Sequence, residues 1–207
     1  TGNGVVDEDD KTIIGEAMPQ HTGGFTINGN WKAIDFSVGF TYQIGGDVYN
    51  ANAMHSLMGN KDNSAGQNRL KFVSETFKYY DVDTNGDLML VKDPTALAAL
   101  NANTNYSSFF SEYGIVSSKF IEDASYLRLN TLTVGYTFPK NWMNKIGLQN
   151  ARVYFTGSNL FCIDGYSGID PDVNTKTDGK DGFPTPYFDY QSYPKARTYT
   201  FGVNLTF

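Results

Sequence analysis

An alternation of apolar and polar residues with a period of two is the feature that most constrains the fold of this chain. The clearest example is the last segment, whose apolar positions are Tyr199, Phe201, Val203, Leu205 and Phe207. The residues between them are Thr, Gly and Asn. Because successive side chains of a strand point to opposite faces of a sheet, this period predicts a β-strand with one apolar face.

The same alternation recurs upstream and predicts five strands, at about 24–33, 35–45, 125–138, 151–163 and 195–207. The first two are expected to form a hairpin with a tight turn at Ala33 and Ile34. The pattern weakens near Leu129 in the third strand and near Tyr154 and Leu160 in the fourth. The predicted fold is therefore all-β, with antiparallel strands.

The connections between the predicted strands alternate between short and long. The short ones cover about two residues and about a dozen, whereas the long segments are 1–22, 46–117 and 164–194. Long and short connections therefore lie at opposite ends of the sheet, as in transmembrane barrels, whose strands need about 9 to 11 residues. The long segments are the predicted outer loops. Within 46–117, a helix is expected after Asp93, which can cap it ahead of Pro94.

Composition narrows the class of protein further. A net charge of −6 offers no basic stripe for nucleic acid, and a single Cys excludes a disulfide framework. The polar face of the strands is rich in Thr, Asn, Ser and Gly rather than Lys and Glu, which favours a barrel lumen over a solvent surface. Aromatic residues make up 15% of the chain, and those near strand ends would form interfacial girdles. The alternative is a soluble β-sandwich with a tyrosine-rich core.

Two acidic segments are candidate calcium loops. Asp81, Asp83, Asn85 and Asp87 are spaced as in the first half of such a loop, but Lys92 stands at the twelfth position. The second segment near the start of the sequence presents three further candidate ligands: Asn3, Asp7 and Asp10. The alternative for both segments is a solvated turn in which Asp and Asn side chains bind the backbone.

The last predicted outer loop is crowded with aromatic residues and also holds an acidic one. The candidates for contact with a substrate or a partner are Tyr166, Asp170, Tyr187, Phe188, Tyr190 and Tyr193. Tyrosine rings can stack on sugar rings or on a protein partner. The alternative is that these side chains cap one another and hold the loop against the barrel.

Four ordered segments carry a family resemblance: 125–139, 152–161, 166–171 and 193–207. Together with the opening segment at 3–15, they resemble the carboxyl end of SusC/RagA-like TonB-dependent outer-membrane transporters. The resemblance implies a 22-stranded barrel around an amino-terminal plug. It also implies a TonB box that draws energy from the inner membrane, and a SusD-like surface lipoprotein as a lid. Such transporters import oligosaccharides or, in some members, peptides.

The sequence contains no plug domain and no TonB box, and five strands leave two open sheet edges. Because hydrocarbon does not tolerate unpaired backbone groups, other strands must close the barrel. The chain is therefore expected to be the C-terminal fragment of a multi-pass transporter in the outer membrane of a Gram-negative bacterium. Phe207 would then be part of the signal read by the assembly machinery.

The sequence suggests three possible functions. Active import, with no bond chemistry, is the leading hypothesis; it requires no cofactor, although calcium could bind. A soluble carbohydrate-binding β-sandwich is the alternative. An outer-membrane enzyme is the third, and the sequence offers neither a Ser/His set nor an acid pair for it. The expected partners are outer-membrane lipid, the lipoprotein, the TonB complex and the substrate.

Overall fold

A computed structural model describes residues 11–57, 68–106, 117–173, 187–190 and 192–207. In chain order the strands are β1 (His21–Trp31), β2 (Ile34–Ile44), β3 (Asp47–Asn50), β4 (Tyr80–Val82), β5 (Leu88–Leu90), β6 (Ile121–Asp123), β7 (Tyr126–Thr137), β8 (Asn150–Asp164), β9 (Phe188–Asp189) and β10 (Thr198–Thr206). The helices are α1 (Ala51–Leu57), α2 (Pro94–Leu100) and α3 (Lys140–Met143), with 3-10 turns at Lys71–Glu75, Ser118–Phe120 and Asn144–Ile146. None of these helices reaches the length and apolar content needed to cross a membrane.

The main element is a five-stranded sheet in the order β1-β2-β7-β8-β10. Every neighbouring pair in it is antiparallel. The all-β, antiparallel fold predicted from the alternation is therefore confirmed. The predicted strand ranges differ from the observed bounds by at most three residues at either end.

The hairpin turn between β1 and β2 lies one residue earlier than the sequence predicts. Trp31 pairs with Ile34, so the two turn residues are Lys32 and Ala33. Lys32 adopts a φ of 55°, in the left-handed region that tight two-residue turns use. Lys is not a residue type that favours a positive φ, so the sequence pattern does not indicate the position of this turn.

Two irregularities in register explain why the alternation weakens in β7 and β8. In the β2–β7 pair, Gly39 lies opposite Thr131 but Phe40 lies opposite Leu129, and the second irregularity is between β7 and β8. Leu129 pairs with Phe161 but Thr131 pairs with Ser158, so one residue of β7 lies opposite two of β8. The extra residue is accommodated at Asn159, which has a φ of 52°. Leu160 is thereby turned over Gly157, whose added Cβ would lie 2.7 Å from a Leu160 methyl carbon. Leu160 therefore does not disrupt the strand's polar face.

The apolar face of the sheet is built from cross-strand rows that run through all five strands. One row joins Trp31, Ile34, Tyr136, Val153 and Val203. Among the described residues, no second sheet covers this face. A soluble β-sandwich would bury such a face against another sheet, so the uncovered rows disfavour that alternative.

Aromatic pairs add contacts between neighbouring strands on this apolar face. The Phe25 and Phe40 rings stack with their centroids 5.0 Å apart, and the Phe155 and Phe201 centroids are 5.1 Å apart. Phe201 nevertheless remains 79% exposed. Large exposed apolar side chains in regular rows are typical of a surface that contacts lipid.

The polar face of the sheet carries an ion pair that spans three strands. Arg152 of β8 donates through Nε to Asp35 of β2, over 2.9 Å, and its second nitrogen contacts the other carboxylate oxygen. Between them, on β7, lies Gly135, where an added Cβ would be 2.2 Å from the guanidinium. Tyr154 lies beside the pair, with its ring over Gly202. Glycine is required at 135 because the charged pair passes directly above it.

A second, three-stranded sheet in the order β6-β3-β9 follows the main sheet at its long-connection end. It surrounds a small core of Val48, Ala124, Tyr166 and Val173. The strands of this sheet contain two to four residues, too few to show a period in the sequence. They were not predicted.

The segment Ala51–Phe120 forms a separate compact unit. It contains α1, α2 and the β4–β5 hairpin, and Ala51, Leu57 and Phe120 are buried in it. The predicted cap of α2 is confirmed, because the amide of Ala96 donates to the Asp93 carboxylate over 2.8 Å. Pro94 occupies the first turn of this helix.

The first prediction concerns Gly135. Gly135→Ala should lower the urea concentration at which the five-stranded sheet unfolds, because the new methyl group displaces Arg152 from Asp35. Gly39→Ala is the matched control, since a Cβ there meets nothing closer than 3.6 Å. Heat-dependent gel mobility reports the folded fraction. The double variant with Gly135→Ala and Asp35→Asn should lose little more stability than either single variant, because both changes break the same ion pair. If the two losses of stability add in full, this interpretation is wrong.

Candidate functional site

Tyr166, in the loop that follows β8, is the centre of the candidate site. Its side chain is only 7% exposed, and its hydroxyl donates to the Asp189 carboxylate over 2.6 Å. Burial, and then this hydrogen bond, raise the pKa of Tyr166. Asp189 also accepts from the Ser192 hydroxyl over 2.5 Å. Tyr166 therefore ties its own loop to the segment at 187–193.

Asp170 is held in the same loop by a buried ion pair. Its carboxylate accepts from Arg128 of β7 over 2.6 Å, and both side chains are less than 10% exposed. The same oxygen accepts from the backbone amide of Asp172 over 2.9 Å. The Asp172 side chain in turn pairs with Lys195 in a more exposed position. The loop at 165–173 is thus anchored to the end of the five-stranded sheet.

Two further candidates also make packing contacts. The Tyr187 hydroxyl donates to the buried Gln43 side chain over 3.0 Å, and its carbonyl accepts from the amide of Tyr49 over 2.8 Å. Phe188 stacks on Tyr49 with ring centroids 5.3 Å apart. We call the interlocked set of Arg128, Tyr166, Asp170, Tyr187 and Asp189 the loop anchor.

Tyr193 and Tyr190 differ from the other aromatic candidates by their exposure. Tyr193 is 90% exposed and Tyr190 is 41% exposed. Both lie in the segment that Tyr166 and Asp189 hold in place. The six predicted residues therefore divide into four that pack the loop and two that present rings to solvent. Of the six, Tyr193 has the ring best placed to contact a ligand.

Sequence reasoning missed several residues on which the site depends. Glu122 accepts from Asn50 and from both the amide and the hydroxyl of Ser167, over 2.7 to 2.9 Å. Arg128 and Gln43 were assigned only to strands. The sequence contains one indication of the role of Arg128: a charged side chain in a strand requires a partner of opposite charge if it is buried.

The acidic segment at 81–87 forms the turn of the β4–β5 hairpin. The Asp83 carboxylate accepts from the backbone amides of Asn85 and Asp87, over 2.8 and 2.9 Å. These two hydrogen bonds, with that from Asp87 the larger influence, lower the pKa of Asp83. Gly86 has a φ of 92°, which only glycine adopts freely.

Calcium binding at 81–87 stays a prediction. Within the described ranges, no three His, Cys, Asp or Glu side chains converge as a metal site. Asn3, Asp7 and Asp10 lie outside the described residues. Phe207 follows β10 directly and is exposed, and its role in assembly also stays a prediction.

Sequence comparison relates the whole chain to TonB-dependent receptors. The chain is 30% identical over 207 residues to TonB-dependent receptor P3 of Formosa agariphila, of which it covers 18%. It is 29% identical over 214 aligned residues to TonB-dependent receptor SusC of Bacteroides thetaiotaomicron, of which it covers 17%. The chain thus spans less than a fifth of the length of these relatives. No family model matches it.

Structural comparison gives the same fold. The chain superposes on one chain of the RagAB peptide transporter with a TM-score of 0.66 and 22% identity, covering 92% of this chain and 17% of that one. A second match, to the RagAB peptide importer in its closed-closed state, has a TM-score of 0.65 and 20% identity, covering 99% and 20%. At this identity the likeness establishes the architecture of the strands and loops.

The second prediction tests the loop anchor. Asp170→Asn should destabilise the 165–173 loop by about 3 kcal/mol, because it leaves the buried Arg128 guanidinium without a counter-ion. Asp172→Asn is the matched control, and its loss should be below about 1 kcal/mol because its pair with Lys195 is partly exposed. Hydrogen exchange of the loop amides measures both effects. Equal protection in the two variants would contradict the anchoring role.

The third prediction concerns pH and the β4–β5 hairpin. Because the folded pKa of Asp83 is lowered, its ionised carboxylate stabilises the hairpin at neutral pH. This contribution should disappear as the pH falls from the ordinary carboxyl range through the lowered pKa. Exchange of the Asn85 and Asp87 amides, corrected for its intrinsic pH dependence, should therefore accelerate on acidification. Asp83→Ala should remove this dependence on pH. Repeating the exchange measurement with calcium and with a chelator tests calcium binding at the same turn.

Proposed function

We propose a nutrient-import function for this chain, which belongs to the SusC/RagA-like TonB-dependent receptors of the Gram-negative outer membrane. In this proposal its five long strands are the closing strands of a 22-stranded barrel. Its long connections face the outside of the cell, and its short connections face the periplasm. The relatives are receptors and transporters rather than enzymes, and this favours transport without bond chemistry.

The observation that carries the proposal is the uncovered apolar face of a sheet whose strands have 9 to 15 residues. Strands of this length can cross the hydrocarbon layer when tilted. The opposite face is lined by Thr, Ser, Asn and Gly and carries the Asp35–Arg152 pair. A sheet that is apolar outward and polar inward suits the wall of an aqueous lumen.

The proposed substrate is an oligosaccharide or a peptide, taken up together with a SusD-like surface lipoprotein. Support comes from the exposed Tyr193 and Tyr190 rings, which the loop anchor holds above the long-connection end of the sheet. Flat aromatic faces stack on sugar rings and on peptide side chains alike. The RagAB protein is a peptide transporter, which supports a peptide, and the family resemblance implies oligosaccharides as the other substrate class.

The fourth prediction separates a substrate role for Tyr193 from a packing role. In a strain that lacks the receptor, complementation with wild type should restore uptake of one substrate class, tested with labelled oligosaccharides and peptides. Tyr193→Ala should reduce that uptake about fivefold, since loss of one stacked ring costs about 1 kcal/mol. Tyr193→Phe should retain it because the ring remains.

Two controls make the uptake experiment decisive. Surface labelling must show equal amounts of each variant in the outer membrane. Pull-down of the lipoprotein distinguishes loss of substrate contact from loss of the lid. Unchanged uptake and unchanged lipoprotein binding in Tyr193→Ala would contradict the proposed role of this ring. Fractionation of the receptor with soluble proteins would contradict the transport function itself.

A further inference from the structure

Both tryptophans of the chain and three exposed lysines lie at one end of the five-stranded sheet. We call this the short-connection end and define it as residues 29–36, 137–153 and 203–207. It includes the β1–β2 turn, α3 with the 3-10 turn that follows it, and the last residues of β10. The tryptophans are Trp31 and Trp142, and the lysines are Lys32, Lys140 and Lys145.

Backbone hydrogen bonds hold these segments side by side. The amide of Thr137 donates to the Ala33 carbonyl over 2.8 Å, which links the β7–β8 connection to the β1–β2 turn. The amide of Gln149 donates to the Thr206 carbonyl over 2.8 Å, which links the same connection to the end of β10. The basic and aromatic side chains therefore belong to one continuous rim of the sheet.

This rim has a charge opposite to that of the rest of the chain. It contains four basic residues and one acidic residue, Asp35, whereas the whole chain has 16 basic and 22 acidic residues. Asp35 forms an ion pair with Arg152, so the Asp35 carboxylate does not neutralise the lysines. A carboxylate on Phe207 would still leave the rim positive. The rim is thus a basic surface on an acidic protein.

The side chains of the rim are arranged as at a membrane interface. Trp31 continues the apolar row of the sheet, and the Lys32 ammonium lies 4.8 Å from its ring centroid. Trp142 is 57% exposed and Ile146 is 66% exposed, next to the exposed Lys140 and Lys145. Tryptophan prefers the headgroup level of a bilayer, and lysine stems lie along apolar surface with the ammonium at the phosphate level.

We infer that the short-connection end binds anionic phospholipid headgroups of the adjoining leaflet. The inference rests on the proposed function, because it requires that the sheet spans a bilayer. Each lysine near such a surface attracts anionic lipid, and the apolar Trp142 and Ile146 side chains insert among the upper acyl carbons. The charge complementarity selects anionic over zwitterionic phospholipid, and it gives this end of the barrel a fixed depth in the membrane.

The test measures lipid selectivity in the whole receptor. The purified receptor is reconstituted into phosphatidylcholine vesicles that contain a trace of spin-labelled phosphatidylglycerol or, separately, spin-labelled phosphatidylcholine. Electron paramagnetic resonance gives the fraction of each probe that is immobilised by the protein. Wild type should hold the anionic probe about threefold or more in preference to the zwitterionic probe at low salt. The preference should fall towards unity at about 1 M salt, where charges are screened within a few ångströms.

The triple variant Lys32→Gln, Lys140→Gln, Lys145→Gln should lose most of this preference. The matched control is Lys71→Gln, Lys78→Gln, Lys92→Gln, which removes three exposed lysines from the separate unit at 51–120. It should keep the wild-type preference, as should a triple Lys→Arg variant at 32, 140 and 145 that retains the charge. A wild-type receptor without anionic preference would overturn the inference, as would a glutamine variant that retains it.

Two measurements keep this test separate from the proposed function. Heat-dependent gel mobility in pure phosphatidylcholine shows whether the variant is inserted and folded. If the glutamine variant does not insert there, the salt dependence of the wild-type preference decides the question alone. Failure of the barrel to insert in any vesicle would contradict the proposed function, whereas insertion and uptake without lipid preference would contradict only the lipid site.

Discussion

Pairing of backbone hydrogen-bonding groups between neighbouring strands is the constraint on which the rest of this structure depends. A strand that crosses hydrocarbon has no water to satisfy its amides and carbonyls, so a neighbouring strand must do so. β2, β7 and β8 have a partner on each side, whereas β1 and β10 have one free edge each among the described strands. If the sheet spans a bilayer, as the proposed function requires, further strands must pair with both of these edges.

The same pairing decides which side chains can meet. Because the register aligns Asp35, Gly135 and Tyr154 across three strands, the Arg152 guanidinium reaches Asp35 only by passing over the glycine. The irregularity at Asn159 changes the register towards the other end of the sheet, between the pairs Thr131–Ser158 and Leu129–Phe161. The loop anchor is fixed by Arg128, which lies on the long-connection side of that irregularity. The strand register therefore also determines where the loop anchor lies.

The sequence predicted the long strands well and the outer site poorly, and the reasons are physical. A period of two is visible over 9 to 15 residues, but β9 has only two residues and offers no pattern. The alternation even signalled the bulges, as a loss of regularity near Leu129 and Leu160. By contrast, Tyr166 and Tyr193 are the same residue type in one loop, yet one is 7% exposed and the other 90%. The difference depends on partners far away in the sequence, because Tyr166 packs with Val48 and Ala124 and donates to Asp189, 23 residues further along the chain.

The two ends of the five-stranded sheet differ in their aromatic residues and in their charges. Phe pairs contact one another across the apolar rows, the buried Tyr166 holds the loop after β8, and both tryptophans lie at the short-connection end. Most acidic residues lie in the long connections, whereas Lys32, Lys140 and Lys145 lie at the short-connection end. The antiparallel sheet causes this difference between its ends, because it brings segments that are far apart in the sequence to the same end of the sheet. The five-stranded sheet therefore has two chemically different ends, and under the proposed function these two ends meet different leaflets of the bilayer.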